Sequence, residues 1–269
     1  MPSSPDYPEL HAARAHWRYQ PAGDCLQDRV ILVTGAGDGI GRSAARTFAC
    51  YGAHVVLLGR TRSRLEAVFD WIQAHTQTRP VIVPCDLEAV NDDSADALAD
   101  AIDGEFGRLD GLLHNASLLG PRVPIAHYDT APWQRVMQVN VNAAFVLTRR
   151  LLRVLDASGD ASVVFTSSSV GRRGRAYWGA YAVSKFAVEG LSQVLADEHE
   201  AAGRIRFNTL NPGATRTRMR ANAYPGENPA EVPPPEQKLD VYLYLLEPAS
   251  RGVNGAALDA RDWPGPTDP

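Results

Sequence analysis

The 269-residue sequence carries only three cysteines, Cys25, Cys50 and Cys85, in neither a C-x-x-C pair nor an even set at framework spacing. A disulfide scaffold is thereby excluded, and scattered thiols fit a reducing compartment, so a cytoplasmic protein is expected. The seven histidines are equally dispersed, which leaves zinc without its close ligand pairs; no metal is expected. The first residues, Met1 to Asp6, lack the basic and apolar regions of a signal peptide. No apolar run approaches the roughly 20 residues that span a bilayer, so no membrane partner is expected. Positive charge is not in excess either. The 27 basic and 31 acidic residues leave −4, which offers no general basis for holding a nucleic-acid backbone. Repeats and low-complexity tracts are absent.

What is present is an alternation. Short β-branched runs at Val30–Val33, Val55–Leu58, Val81–Val83, Leu112–Leu113, Ser162–Phe165 and Ile205–Leu210 read as strands, with a weaker one near Ala256–Leu258. Amphipathic stretches lie between them, over about 40–51, 63–75, 94–106, 133–155 and 180–201. Near-continuous apolar strands separated by helices call for a parallel sheet covered on both faces. Right-handed crossovers then give a single-domain, Rossmann-like, doubly wound α/β fold of about seven strands. No linker breaks the pattern, so one domain is expected over 28–262. Residues 1–27, punctuated by proline, read as an arm or a flexible tail. Residues 263–269 read as a C-terminal tail. The Pro-, Asn- and Glu-rich stretch within 217–238 reads as a loop over the substrate.

The first strand runs into Thr34-Gly35-Ala36-Gly37-Asp38-Gly39-Ile40-Gly41 directly before a helix. Such a turn brings backbone N–H groups and a helix N-terminus against a phosphate, and glycine is needed where a Cβ would block the approach. The bland reading is an ordinary tight βα turn. Where an NAD enzyme usually carries an acid, at the end of the second strand, this chain has Gly59 and then Arg60, with Arg62 and Arg64 close behind. A 2′-phosphate needs a cation there, so NADP(H) is favoured, with NAD(H) still open. Asp38 argues the other way if it lies near that phosphate.

Tyr181 and Lys185 are four apart and share a helix face. Thr166-Ser167-Ser168-Ser169 closes the fifth strand, at the same sheet edge as the glycine turn. A phenol with a pKa of about 10 becomes a base near neutrality only when a cation favours its anion, and Lys185 is the expected cation. A serine at the strand tip can donate to a carbonyl oxygen as charge develops there. Taken alone, Y-x-x-x-K is equally well a partly exposed helix face.

Together these segments resemble the short-chain dehydrogenase/reductase family, in its single-domain branch. Thr34 to Gly41 resembles the family's cofactor turn (Gly35, Gly37, Asp38, Gly39, Ile40, Gly41), and Cys85-Asp86-Leu87 the segment whose Asp approaches the adenine. His114-Asn115-Ala116-Ser117 resembles N-N-A-G, with His114 and Ser117 as departures. Asn140 in Met137-Gln138-Val139-Asn140 is the helix asparagine, and Ser168 lies thirteen residues before Tyr181, as the family's serine does. Asn211-Pro212-Gly213-Ala214-Thr215-Arg216-Thr217 resembles P-G-x-x-x-T at the nicotinamide end. The stretches 114–120 and 165–185 are similar to the bacterial YciK-type oxidoreductases.

The resemblance implies an enzyme that moves hydride between NADP(H) and a carbonyl or secondary alcohol. Tyr181 would be its acid/base, Lys185 would hold the ribose hydroxyls, Ser168 would polarise the carbonyl, and Asn140 would anchor a water for proton relay. Cofactor contacts would come from the turn, Arg60, Asp86, Leu87, Asn115, Ala116, Tyr181, Lys185, Pro212, Gly213, Thr215 and Thr217. Homodimers or homotetramers packed through the long helices are implied as well. Arg175 and Arg216 suggest either an anionic substrate held by an arginine fork or surface cations. Tyr177 and Trp178 read as a pocket wall or as packing. Two rivals stay open: a catalytically silent, NADP(H)-responsive binding protein, and a sugar-nucleotide epimerase, which usually needs more than the roughly 60 residues after the sixth strand.

Overall fold

A computed structural model describes residues 7–266. The chain enters through helix α1 (Pro8–Arg14) and then alternates β1 (Val30–Thr34), α2 (Gly39–Cys50), β2 (His54–Gly59), α3 (Arg62–His75), β3 (Val81–Pro84) and α4 (Asp92–Phe106). After β4 (Gly111–His114) come α5 (Thr130–Met137), a π-helical turn over Gln138–Asn142, and α6 (Ala143–Asp156). Then follow β5 (Ala161–Thr166), α7 (Gly179–Glu200), β6 (Ile205–Asn211), the short α8 (Arg218–Ala223), α9 (Leu239–Leu246) and β7 (Ala257–Asp259).

The seven strands form one all-parallel sheet in the order β3-β2-β1-β4-β5-β6-β7. Side-chain alternation decides which face each residue serves. Ile31 and Val33 pack with Phe48, Leu65, Val68 and Ile72 of α2 and α3 and with the wholly buried α9. Val30 and Leu32 face the other way, onto Leu98, Ile102, Leu147, Leu151 and Val188 of α4, α6 and α7. Each such fully buried side chain contributes about 1.5–3 kcal/mol. Strand order reverses between β1 and β4, and the C-terminal edge at that reversal is where a crevice opens.

Three expectations need revision. The helix read across 133–155 is interrupted by the π-turn, which carries Asn140. The segment 7–27 does not trail away: Tyr7, Leu10, Trp17 and Leu26 are buried in the α2/α3/α9 core. Of the two readings, arm or flexible tail, residues 7–27 fit the arm; its few apolar anchors are too widely spaced to show a period. The expected tail also begins with structure, since Trp263 joins the same core; residues 1–6 and 267–269 lie outside the described residues. Among the described residues no helix is long and apolar enough to cross a membrane, and no group of three or more His, Cys, Asp or Glu could hold a metal ion.

Candidate active site

The turn after β1 is built by steric necessity. A Cβ on Gly41 would lie 2.3 Å from the Gly35 carbonyl oxygen and 2.7 Å from Asn115 Nδ2. Gly35 itself sits at φ 70° with Ala116 Cα 3.1 Å from where its Cβ would be. Thr34 ties this turn to the end of β4, because its hydroxyl accepts from the amides of Asn115 (2.9 Å) and Ala116 (3.1 Å). Asp38 caps α2, its Oδ1 accepting from Gly39 N at 2.8 Å. Ser117 does not need glycine's freedom: Gly120, not Ser117, takes the positive φ in this segment.

From the turn an open cleft of about 560 Å³ runs across the sheet edge. It is lined by Gly35, Gly37, Asp38, Gly39, Ile40, Arg60, Asp86, Leu87, Asn115 and Ala116 at one end. Ser168, Trp178, Tyr181, Lys185, Pro212, Gly213, Thr215 and Thr217 line the other. Gly41 and Asn140 stand behind the wall. Arg175, Tyr177 and Arg216 are not part of it.

At the Arg60 end, charge is arranged in pairs. Arg60 lies 3.7 Å from Glu88, which Arg135 also holds at 2.7 Å. Asp38 Oδ2 receives Arg64 at 2.9 Å and Arg218 at 3.2 Å. The carboxylate that argued against a 2′-phosphate is therefore flanked by two cations that line the same cleft. In sequence Arg64 stands only as a cation close behind Arg60, and Arg218 only as one of the arginines around Thr217 that could hold an anionic substrate; neither is named there as a cofactor contact. Both stood beside motifs, but only the fold shows that α3 and α8 converge on the glycine turn.

At the other end, β5 and α7 bring the acid/base residues together. Tyr181 and Lys185 are buried, and Lys185 Nζ donates to the Thr166 carbonyl at 2.7 Å. Nζ lies 5.5 Å from the Tyr181 ring centroid. Burial brings Lys185 down to about 8, against the neighbouring Glu189 charge. Burial also pushes Tyr181 up to about 12, with the Ser168 hydroxyl opposing. Burial thus moves the phenol in the direction opposite to the lowering expected from Lys185. Desolvation dominates, and the ammonium is spent on a backbone carbonyl.

Asn140 is wholly engaged: its Oδ1 accepts from Leu118 N (2.8 Å), and its Nδ2 donates to Leu118 O (3.0 Å) and Ser184 Oγ (2.9 Å). A small cavity bordered by Thr34, His114, Asn140, Thr166 and Lys185 has room for about one water. His114 behaves as a packed strand-end residue. It stacks on Phe165 at 4.8 Å and pairs with Thr148 Oγ1 at 2.8 Å; burial, with the Lys185 charge, depresses it to about 3.

The wall beside Tyr181 is apolar. Val170, Trp178, Ala182 and Ala223 form a buried cluster, with Leu119, Met219 and Tyr224 packed on it. Tyr177 takes a left-handed backbone (φ 70°) and is 53% exposed, while Trp178 next to it enters the cleft. The arginines here are committed. Arg220 binds Glu227 through two 2.6 Å hydrogen bonds, Arg175 donates to Tyr224 Oη at 3.1 Å, and Arg122 lies over the Trp178 ring at 4.6 Å. Arg216 is exposed. The arginine fork for an anion is therefore not formed by Arg175 and Arg216. Tyr224 and Met219 were missed because α8, at six residues, is too short for a helical period to betray which side chains turn inward.

The family model of short chain dehydrogenases matches residues 29–228. The chain belongs to that family. It is 51% identical over 243 residues to the uncharacterized oxidoreductase YciK of Escherichia coli K12, covering 90% of this chain and 96% of that one. A protein of Escherichia coli CFT073, described as a short chain dehydrogenase and crystallised with NADPH, superposes with a TM-score of 0.87 at 51% identity. That match covers 90% of this chain and all (100%) of the other. A Shigella flexneri 2a counterpart crystallised with NADP gives a TM-score of 0.87 at 50% identity, covering 89% of this chain and 100% of its own. The fold described above is shared with these solved structures.

Proposed function

We propose that the protein is an NADP(H)-dependent oxidoreductase moving hydride between the nicotinamide and a carbonyl or secondary alcohol carbon, with Tyr181 as the acid/base. The observation that carries this reading is one cleft joining the glycine turn to Ser168 and to the buried Tyr181 and Lys185. The residues fit the dinucleotide. The Gly35–Gly41 turn admits no Cβ at Gly41, α2 presents its N-terminal amides, and Arg60, Arg64 and Arg218 supply the charge that a 2′-phosphate needs. The structural relatives crystallised with NADP and NADPH support the same choice. When bound, the cofactor supplies or accepts the hydride.

The chain's own part is positioning and proton transfer. In reduction, Ser168 donates to the carbonyl oxygen as negative charge grows there. Tyr181, raised by burial, rests as the phenol and delivers the proton to that oxygen. Lys185, charged below pH about 8, holds its ammonium beside the ring and replenishes the phenol through the water-sized cavity next to Asn140. The apolar wall of Trp178, Leu119, Met219 and Tyr224 selects a neutral, largely apolar carbonyl compound rather than an anion.

Cytoplasmic residence is consistent with three free cysteines. Homo-oligomerisation through the long helices is supported by Phe145 on α6 and Val183, Phe186 and Val194 on α7, each more than two-fifths exposed. Titration with NADPH and NADH, followed by a carbonyl panel read by loss of NADPH absorbance, tests the proposal. Tight NADPH binding with no turnover on any member would favour the silent binding protein instead.

A further inference from the structure

The loop between β6 and α9 leans over the substrate end of the cleft, and its far foot is not held by the catalytic domain alone. Arg216 N donates to Pro233 O at 2.8 Å, which closes the base of the loop. Just beyond that closure sits Glu236, only 8% exposed. Its Oε1 accepts from Tyr7 Oη at 3.0 Å and from Ser43 Oγ at 2.5 Å, and its carbonyl accepts from Trp17 Nε1 at 2.8 Å. Arg18 N donates to Asp240 Oδ2 at 2.9 Å, one step further into α9. The donors are themselves fixed. Tyr7 is 3% exposed with its ring edge-on to Trp71 at 4.9 Å, and Trp17 is 7% exposed against Tyr51.

A buried carboxylate persists only when its lone pairs are satisfied; Tyr7 of the N-terminal segment supplies one of its two donors, while Trp17 of the same segment holds the Glu236 backbone carbonyl. The other carboxylate donor, Ser43, lies on α2, the helix whose first turn borders the glycine turn. We infer that Tyr7 and Trp17 are positioning residues: through Glu236 they fix the foot of the 217–233 loop, and so set where Met219, Ala223 and Tyr224 stand against the substrate. This inference rests on reading that loop as the wall of the substrate site. It predicts that the arm tunes substrate affinity, and to a lesser degree NADPH affinity through Arg218 on the same loop, while leaving the chemistry untouched.

Hydrogen exchange followed by mass spectrometry on the full-length protein, without substrate, tests it in Tyr7→Phe and Trp17→Phe. Each change removes one donor and keeps the ring. Amides of 218–232 should exchange roughly fivefold faster per bond lost, with β1 and β4–β6 unchanged. Glu236→Gln, which retains the accepting oxygen, should keep wild-type loop exchange, whereas Glu236→Leu should not. In turnover, KM for a carbonyl substrate should rise severalfold with kcat held, and NADPH should weaken less than the substrate does. Wild-type loop exchange in both arm variants would overturn the inference. So would acceleration spread evenly over the sheet, or Glu236→Gln behaving as Glu236→Leu. The exchange result does not depend on catalysis, so a protein that reduces no carbonyl would sink the oxidoreductase reading while still deciding this one.

Discussion

Replacing Gly41 by alanine puts a Cβ 2.3 Å from the Gly35 carbonyl oxygen and 2.8 Å from its carbon, against backbone that has no rotamer to yield. Restoring ordinary contact near 3.4 Å means moving the turn and the start of α2 apart by about 1 Å. N–H···O bonds to a phosphate are good only over roughly 2.7–3.2 Å, so that displacement breaks them. Losing two charge-assisted bonds at about 1.5 kcal/mol each comes to about 3 kcal/mol, on the order of a hundredfold in affinity. Fluorescence titration with NADPH reads it, with thermal unfolding as the check that the variant is folded. Gly37→Ala is the graded comparison. Its Cβ would meet Arg64 Cβ at 2.9 Å, an atom fixed to the α3 backbone, so α3 must give by a few tenths of an ångström; the clash is milder than at Gly41, and the loss is smaller and falls more on NADPH than on NADH. Gly104→Ala, where nothing lies within 4 Å, should bind as the wild type does and gain helix stability. A folded Gly41→Ala protein with wild-type NADPH affinity would refute the claim that this turn is the phosphate cradle.

Other outcomes follow from the same geometry. His114 is depressed to about 3, so the unfolded chain binds a proton between about pH 6.5 and 3 that the folded one refuses. Stability should therefore fall by about 1.4 kcal/mol per pH unit as pH drops through that window, and His114→Asn should flatten the slope in acid-dependent denaturant titrations. Asp38→Asn keeps the cap on α2 but frees Arg64 and Arg218. NADPH should bind two- to fivefold tighter at low salt, with NADH little changed, an exposed ion pair being worth about 0.2–1 kcal/mol. Lys185 loses its charge as pH rises through about 8, so the reductase rate should decline above that pH. Arg175→Ala should leave kcat/KM for a neutral ketone and its acidic analogue equally unaffected, with the ketone preferred; a selective loss on the acid would restore the anionic substrate.

Strands were the most legible feature because a doubly covered parallel sheet demands unbroken apolar runs, and Val30–Val33 or Ser162–Phe165 satisfy nothing else as well. The motifs at Thr34–Gly41, Ser168 and Tyr181–Lys185 were legible because fixed spacing along one sheet edge brings them together. The π-turn at Asn140 was not, since one added residue per turn barely disturbs helical periodicity. Charge was the least legible. Arg175 and Arg216 look no different in sequence from Arg64 and Arg218, yet only the second pair lines the cleft. The direction of the Tyr181 shift was also hidden, because it depends on how dry the site is rather than on which cation stands four residues away. The arm escaped because Tyr7 and Trp17 are single anchors whose partner, Glu236, is more than 200 residues distant.

The central claim is that a proton on Tyr181 and a hydride from the cofactor reach the same carbonyl. Incubating the protein with NADPH deuterated at nicotinamide C4 and a neutral ketone, then locating the label by mass spectrometry, tests it most directly. The account predicts one deuterium on the carbinol carbon from one face of the nicotinamide, and its loss with Tyr181→Phe although NADPH still binds. Full label transfer by the Tyr181→Phe protein would contradict it.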